Sequence, residues 1–237
     1  MSPLKASSYL VCLLLWWPVS LVANSYPSDS FIKPYSATYS TTWKKGISIK
    51  VEGTQTLSQS PNKQWHFSFQ ADTFFASLNE SVEFKVNEGQ IFPLLYEYHT
   101  SAFGKKRDAV LTFDWQKKRV RNDIKNKPWH MDIQAGVLDK LSIQLQIRQD
   151  LKRNKAKLDY LIADGGKLKP WHFERLGNEQ IDTQLGAIDT IKVKREGTGK
   201  KAKTTTFWFA PKYDFLLVKL VHQEKKESYK LELDSIK

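Results

Sequence analysis

The sequence predicts a mostly β protein, built as a curved antiparallel sheet or partial barrel with one amphipathic helix packed on it. Three observations predict this fold class. Apolar and polar residues alternate with a period of two in roughly a dozen segments, which is typical of half-buried strands. Turn signals separate many of these segments, and one segment alone shows helical spacing. Short connections between successive strands favour an antiparallel arrangement.

The first predicted strand begins at Tyr35, where Tyr35, Ala37 and Tyr39 alternate with smaller or polar residues. The same pattern recurs along the chain to its C-terminal region. Predicted strands cover residues 35–43, 47–51, 65–69, 82–86, 94–98, 110–115, 119–124, 158–163, 171–175, 188–195, 204–210, 215–222 and 229–233. Hairpin turns are predicted at Asn87-Glu-Gly89, Asp164-Gly-Gly166 and Gly197-Thr-Gly199, because Asn, Asp and Gly tolerate the positive φ of such turns.

Residues 137–153 predict the helix. Leu141 and Leu145 lie at helical spacing, no Gly or Pro interrupts the segment, and Gly136 precedes it. We expect an amphipathic helix of about four turns. Its structural role would be to cover one face of the sheet, and the alternative is a lid or membrane-surface role.

The N-terminal segment predicts export. Lys5 precedes the apolar run from Tyr9 to Ala23, so residues 1–23 are typical of a secretory signal peptide, with cleavage after Ala23. The run is shorter than the roughly 20 apolar residues that cross a bilayer comfortably, so a retained anchor is the weaker interpretation. Residues 24–34 are expected to form a flexible leader, and residues 35–237 a single β-rich domain.

Cysteine usage and charge constrain the compartment and the partners. Cys12 is the sole cysteine and leaves with the signal peptide, so the mature protein forms no disulfide, and a bacterial periplasm is the predicted location. The chain has 37 Lys and Arg against 25 Asp and Glu. This charge favours an anionic lipid, lipopolysaccharide or an acidic glycan as partner, and export argues against nucleic acid. The alternative is that scattered lysines only keep edge strands soluble.

Three Trp-His pairs are the first candidate for chemistry, at Trp65-His66, Trp129-His130 and Trp171-His172. Three histidines are enough to bind zinc. Adjacent strand residues face opposite sides, however, so a buried tryptophan turns its histidine outward without any metal. We therefore expect no metal site and no cofactor.

Catalytic patterns are weak. No Gly-x-Ser-x-Gly occurs, and Gly165-Gly166 reads as a hairpin turn and not as a phosphate-binding loop. Glu80, Glu83 and Glu97 are candidates for paired carboxylates, with nothing to distinguish them from solvated acids. We assign no catalytic residue.

Aromatic residues, at 13% of the chain, are the main positive signal for binding. Alternate aromatics on a curved sheet can line a concave pocket for an acyl chain or a sugar ring. The alternative is a packed aromatic core closed by the helix. The predicted ligand-lining residues are Trp65, Phe67, Tyr96, Tyr98, Trp115 and Trp208.

Several motifs together resemble one known family. They are Phe207-Trp-Phe-Ala-Pro211 with Leu216-Leu-Val-Lys-Leu220, Tyr35-x-Ala-x-Tyr39 with Gly46, Ile91-Phe-Pro93 with Tyr96 and Tyr98, Phe113-Asp-Trp115, the helix residues Asp139, Gln144 and Arg148, and Thr183 with Gly186 and Thr190. With these motifs the chain resembles the bacterial family of domain of unknown function 3108. The resemblance implies a periplasmic β-rich protein of Gram-negative bacteria with no assigned reaction, and an architecture similar to half-barrel lipoprotein carriers.

We therefore expect a non-enzymatic periplasmic protein that binds an amphiphilic or anionic envelope molecule on an aromatic-lined concave sheet. The alternative is an envelope interaction or assembly factor that engages a protein partner through a sheet edge. A hydrolase ranks third.

Overall fold

The computed structural model of the protein describes residues 32–45, 47–124, 127–197, 203–225 and 227–237. The predicted signal peptide, residues 24–31 of the predicted leader, and the turn residues Gly46, Thr198 and Gly199 lie outside this part of the chain. Within the described residues, no helix is both long enough and apolar enough to cross a membrane.

Strands dominate the described residues, which form a 15-stranded sheet and one helix, α1, at Ser142–Lys152. The strands are β1 Tyr35–Lys45, β2 Ile47–Gln59, β3 Trp65–Asp72, β4 Ala76–Asn87, β5 Gln90–Ala102, β6 Lys105–Asp114, β7 Arg119–Ile124, β8 Lys127–Asp132, β9 Val137–Leu138, β10 Leu158–Asp164, β11 Lys167–Thr183, β12 Gly186–Glu196, β13 Lys203–Ala210, β14 Leu216–Glu224 and β15 Glu227–Ile236. The predicted fold class, mostly β with a single helix, is confirmed.

The sheet is curved and does not close into a barrel. Its strand order runs from β8 back to β1, then from β15 back to β9, so the two halves of the chain join where β1 pairs with β15. All pairs are antiparallel except β9 with β10. The two edges of the sheet lie at β8 and β9. Near them, the indole N–H of Trp129 in β8 donates to the Gly166 carbonyl oxygen between β10 and β11, at 3.3 Å.

The helix is shorter than predicted. It has 11 residues, and Val137 and Leu138 form β9 beside Leu161 and Ile162 of β10. The carboxylate of Asp139 explains this boundary, because its Oδ1 accepts hydrogen bonds from the backbone N–H groups of Leu141 and Ser142, both at 2.8 Å. A side chain that satisfies the free N–H groups of the first turn fixes the helix start there.

The helix also lacks the solvent-facing polar side that an amphipathic helix would have. It lies on the concave side of the sheet, where Gln146 Oε1 accepts a hydrogen bond from the Ile91 N–H of β5 at 3.1 Å. On the other side, the Tyr160 hydroxyl of β10 donates to Asp150 Oδ2 at 2.8 Å. Nine of its residues are buried: Ser142, Ile143, Leu145, Gln146, Ile147, Arg148, Gln149, Asp150 and Leu151. Strands on both sides supply the partners that water would supply to an exposed helix.

Candidate functional site

Inward-facing residues of β2 to β6 form three parallel rows across the concave face. Leu57, Phe67, Val82, Tyr96 and Leu111 pair in register and are each at most 2% exposed, so we call them the packed row. Two residues further toward one end of the strands, the floor row contains Gln55, Phe69, Glu80, Tyr98 and Ala109. The wall row follows, with Gly53, Ala71, Leu78, Thr100 and Arg107.

A cavity of about 430 Å³ lies over the floor and wall rows, between them and the start of α1. The helix contributes Leu141 and Gln144, and the C-terminal half contributes Leu220, Tyr229 and Leu231. The described residues that line it are Thr41, Val51, Gln55, Phe69, Ala71, Thr73, Ala76, Ser77, Leu78, Glu80, Tyr98, Thr100, Ser101, Ala102, Leu141, Gln144, Leu220, Tyr229 and Leu231. This volume lies within the range of about 300–1,000 Å³ that small-molecule sites occupy.

Small residues create the space. Ala71, Ala76 and Ala102 occupy positions where larger side chains would fill the cavity. Gly53 acts differently, because a Cβ there would lie 2.4 Å from Phe69 Cζ. The absence of a side chain at Gly53 thus lets the Phe69 ring lie against β2 and leaves the space above it open.

Glu80 is the polar centre of the floor row. It accepts a hydrogen bond at Oε1 from the Tyr96 hydroxyl, at 2.6 Å. Burial raises the pKa of the Glu80 carboxyl above its usual range, although the Tyr96 hydrogen bond and the Lys140 charge lower it. Burial also raises the pKa of Tyr96, so this hydroxyl keeps its proton and donates. A carboxyl held toward its neutral form suits an apolar cavity.

Amides and a lysine complete the polar contacts near the floor. Gln55 accepts a hydrogen bond at Oε1 from the Tyr35 hydroxyl at 2.7 Å, and its Nε2 donates to Gln144 Oε1 at 3.4 Å. Lys140 Nζ lies 4.9 Å from the centroid of the Tyr98 ring, which is cation–π distance. Burial raises the pKa of Asp139, next to Lys140 at the start of the helix.

The structure brings one of the six predicted ligand-lining residues, Tyr98, to the cavity. Phe67 and Tyr96 belong to the packed row. Trp65 is buried and stacks on Phe84, with ring centroids 6.3 Å apart.

The other two predicted residues lie elsewhere in the sheet. The Trp115 indole N–H donates to the Pro93 carbonyl oxygen at 2.6 Å. Trp208 donates to Glu179 Oε2 at 3.1 Å, with Lys192 and Lys219 each 5.2 Å from its ring centroid. The cavity residues that the prediction missed are mainly small ones, and small residues at inward positions of neighbouring strands are the signal that marks them.

The Trp-His pairs behave as strand alternation predicts at two sites. Trp65 is buried beside the exposed His66, and Trp171 is half-buried beside the exposed His172. His172 Nδ1 lies 2.5 Å from Asp159 Oδ1 on the neighbouring strand. Among the described residues, no group of three or more His, Cys, Asp and Glu side chains is placed to hold a metal ion.

A second polar cluster lies near the other end of α1. The Arg148 side chain is 4% exposed, and its guanidinium carbon lies 5.1 Å from the Tyr35 ring centroid. Its Nη2 donates to the Asp214 carbonyl oxygen at 3.2 Å, and Lys152 forms an ion pair with the same aspartate. Burial raises the pKa of Tyr35 to about 12, against the lowering effect of Arg148. This cluster anchors the helix to the turn between β13 and β14.

Solved structures share this fold at very low sequence identity. A β-barrel-like protein of domain of unknown function DUF1849 from Brucella abortus is 7% identical, with a TM-score of 0.59 over 86% of this chain and 97% of that one. The structure of LprF from Mycobacterium bovis is 13% identical, with a TM-score of 0.30 over 84% of both chains. Mycobacterium tuberculosis lipoprotein LppX is 11% identical, with a TM-score of 0.28 over 84% of both chains.

No curated protein matches the chain. A family of proteins of unknown function does match, over residues 35–234, which is nearly the whole sheet. The motifs quoted above, from Tyr35 to the segment after Pro211, fall inside this match. The chain therefore belongs to the family of unknown function DUF3108.

Proposed function

We propose that this protein is a non-enzymatic binding protein that holds the apolar part of an amphiphilic molecule in the cavity between α1 and the concave sheet. The observation that carries the proposal is the cavity of about 430 Å³ in a protein whose neighbouring rows are otherwise fully packed. Protein interiors rarely leave spaces much larger than a water molecule without a reason. The predicted signal peptide supports a role outside the cytoplasm, in the cell envelope.

The lining favours binding over catalysis. Leu78, Leu141, Leu220 and Leu231 offer apolar contacts. Among the described residues that line the cavity, Glu80 supplies the single carboxyl group, and Tyr96 already occupies one of its oxygens. General acid–base catalysis commonly uses two titratable groups that converge on a substrate.

A role as an assembly factor that uses a sheet edge has less support. One edge strand, β9, has two residues, and the other, β8, contains Pro128. Short edges and proline both oppose the addition of another strand.

Titration with the apolar fluorophore Nile red tests the proposal. We expect saturable binding with one probe per protein. The double variant Ala71→Leu/Ala102→Leu fills the cavity and should weaken Nile red binding by about tenfold or more, since each lost apolar contact region is worth about 1 kcal/mol or more. Ala187→Leu adds the same volume at an exposed position of β12 and serves as the matched control.

Two outcomes would reject the cavity as a binding site: no saturable signal from the wild-type protein, or equal binding by the double variant with an unchanged circular dichroism spectrum. Native mass spectrometry of protein purified from its own cell envelope, followed by lipid extraction, then identifies the natural ligand. A consistently empty protein would also contradict the proposal.

A further inference from the structure

Three phenylalanines project from two neighbouring hairpin tips. Phe74 is fully exposed, Phe103 is 62% exposed and Phe75 is 39% exposed. Phe74 and Phe75 lie between β3 and β4, and Phe103 lies between β5 and β6. The two tips are joined, because the Phe103 N–H donates to the Phe75 carbonyl oxygen at 3.0 Å and the two rings stack with centroids 5.3 Å apart. A contiguous exposed apolar patch of this kind typically marks an interaction surface.

Phe103 is also unfavourable for folding. Its φ is +49°, and the following Gly104 has φ +75°, which together correspond to a tight hairpin turn with two left-handed residues. Asn-Gly is the preferred pair for such a turn, and a bulky aromatic residue is rarely found at the first position. A strained and exposed phenylalanine gains nothing from packing, so its role lies outside the folded chain.

Cations surround the patch. Alternate hairpins of an antiparallel sheet lie at the same end, so the tips of β1/β2, β5/β6, β10/β11 and β14/β15 share the end that bears Phe74. The exposed cations described at these tips are Lys44, Lys105, Lys106, Arg107, Lys167 and Lys225. Of the acids at this end, Asp164, Glu196 and Glu224 each form an ion pair with a lysine.

The patch adjoins the mouth of the cavity. A recess of about 340 Å³ lies under the three rings, and Thr73, Ala76, Ser77 and Ser101 line both this recess and the cavity. A molecule that leaves the cavity between these residues would emerge beside the rings.

We propose that this end of the sheet docks on the surface of an anionic phospholipid bilayer. Phe74, Phe75 and Phe103 enter the boundary between headgroups and acyl chains, and the surrounding lysines and arginine contact the anionic headgroups. Aromatic side chains with adjacent cations are the combination that holds proteins at such an interface. The docking itself needs no ligand in the cavity, but together with the proposed function it would let an acyl chain pass between bilayer and cavity without crossing water.

Co-sedimentation of the full chain with vesicles of equimolar phosphatidylglycerol and phosphatidylcholine tests the docking. We expect the wild-type protein to bind these vesicles and to bind pure phosphatidylcholine vesicles far more weakly. The double variant Phe74→Ser/Phe103→Asn should lower the partition coefficient by about tenfold or more, since two aromatic rings lose their contact with lipid. Phe103→Asn alone should raise the thermal unfolding midpoint while it weakens binding, and this separates the binding role from a folding role.

A charge-reversal pair tests the orientation. Lys105→Glu/Lys106→Glu and Lys117→Glu/Lys118→Glu change the net charge equally, but the second pair lies between β6 and β7, at the opposite end of the sheet. We expect the first pair to reduce vesicle binding by about tenfold or more, at roughly 1 kcal/mol per charge near an anionic surface, and the second to have little effect. Equal losses from both pairs would mean attraction by overall charge and would overturn the proposal.

Wild-type binding to anionic vesicles that persists unchanged in Phe74→Ser/Phe103→Asn would also overturn it, as would an absence of wild-type binding. Sedimentation of a dimer that this double variant dissociates would assign the patch to self-association instead. The cavity-filled variant Ala71→Leu/Ala102→Leu should still bind vesicles, and the tip variants should still bind Nile red. Failure of docking and failure of the proposed function are therefore observed separately.

Discussion

The two halves of the sheet fill the concave face in different ways. In the C-terminal half, large rings contact one another: the Phe207 ring centroid lies 5.8 Å from that of Phe173 and 6.1 Å from that of Phe209. In the N-terminal half, the wall row places Gly53 and Ala71 side by side, and the cavity of about 430 Å³ remains. One continuous sheet thus has a fully packed half and a half with an open space.

The difference shows that side-chain volume at inward positions decides where a curved sheet stays open. Aromatic residues mark complete packing here, because each ring fills the width between the sheet and the helix. Small residues in adjacent strands mark the cavity, because their neighbours cannot collapse into the space they leave.

The largest effect that this comparison predicts concerns ring removal in each half. Phe209→Ala, at a position with no exposed surface, should lower the free energy of unfolding by about 3–5 kcal/mol, because it opens a new void in a packed region. Phe69→Ala should cost less than about 2 kcal/mol, because one side of this ring already faces the cavity. Urea unfolding followed by circular dichroism measures both values.

Both variants remove the same atoms, so each serves as the control for the other. Equal losses of stability would contradict the view that the N-terminal half is incompletely packed. Phe69→Ala should also enlarge the cavity and leave Nile red binding intact or stronger, whereas Phe209→Ala should leave it unchanged.

Local sequence signals predicted most of the fold because they arise from local geometry. Glu88 and Gly89 both have positive φ, as do Gly165 and Gly166, in agreement with the hairpin turns predicted there. β8 was missed because Pro128 and the absence of alternating apolar residues hide it. The helix start was placed too early because Val137 and Leu138 fit either structure, and only the tertiary contact with β10 makes them a strand.

The candidate site was predicted poorly, for a physical reason. Tyr96 and Tyr98 face the same side of β5 and look equivalent in sequence, yet Tyr96 lies under the helix and Tyr98 lies at the cavity. The distinction depends on where α1 crosses the sheet, and that position follows from contacts between residues far apart in the chain, such as Gln146 with Ile91. A single sequence contains no local signal for it.

A second prediction uses the acids on the two sides of the helix. Asp150, which faces the C-terminal half, has Lys155 Nζ at 3.0 Å, whereas Glu80 at the cavity has only the neutral Tyr96 hydroxyl within hydrogen-bond distance. Because folding raises the pKa of Glu80, its contribution to stability is fully present below the ordinary glutamate pKa. That contribution is lost as the pH rises through the folded-state pKa.

Glu80→Gln keeps an acceptor for Tyr96 and cannot ionise. The variant should match the wild-type protein at acidic pH and be more stable at neutral pH, by about 1.4 kcal/mol for each pH unit by which the pKa is raised. Urea unfolding midpoints measured across acidic to neutral pH test this, and a difference that does not change with pH would contradict it.

The smallest predicted effect lies where the two halves meet at their edges. Gly165 and Gly166 both have positive φ, at +61° and +74°, so an alanine at either position carries a similar backbone cost of about 1–2 kcal/mol. A Cβ at Gly166 would lie 1.9 Å from the Trp129 ring, whereas the nearest heavy atom to a Cβ at Gly165 is Lys169 Nζ at 3.7 Å. The excess cost of Gly166→Ala over Gly165→Ala therefore isolates the contact between β8 and the β10/β11 turn. We expect this excess to be below about 1 kcal/mol, because Trp129 is 38% exposed and can move aside. Hydrogen exchange should be faster in β7 and β8 of Gly166→Ala than of Gly165→Ala, and equal exchange would mean that the two edges are held apart or together by other contacts.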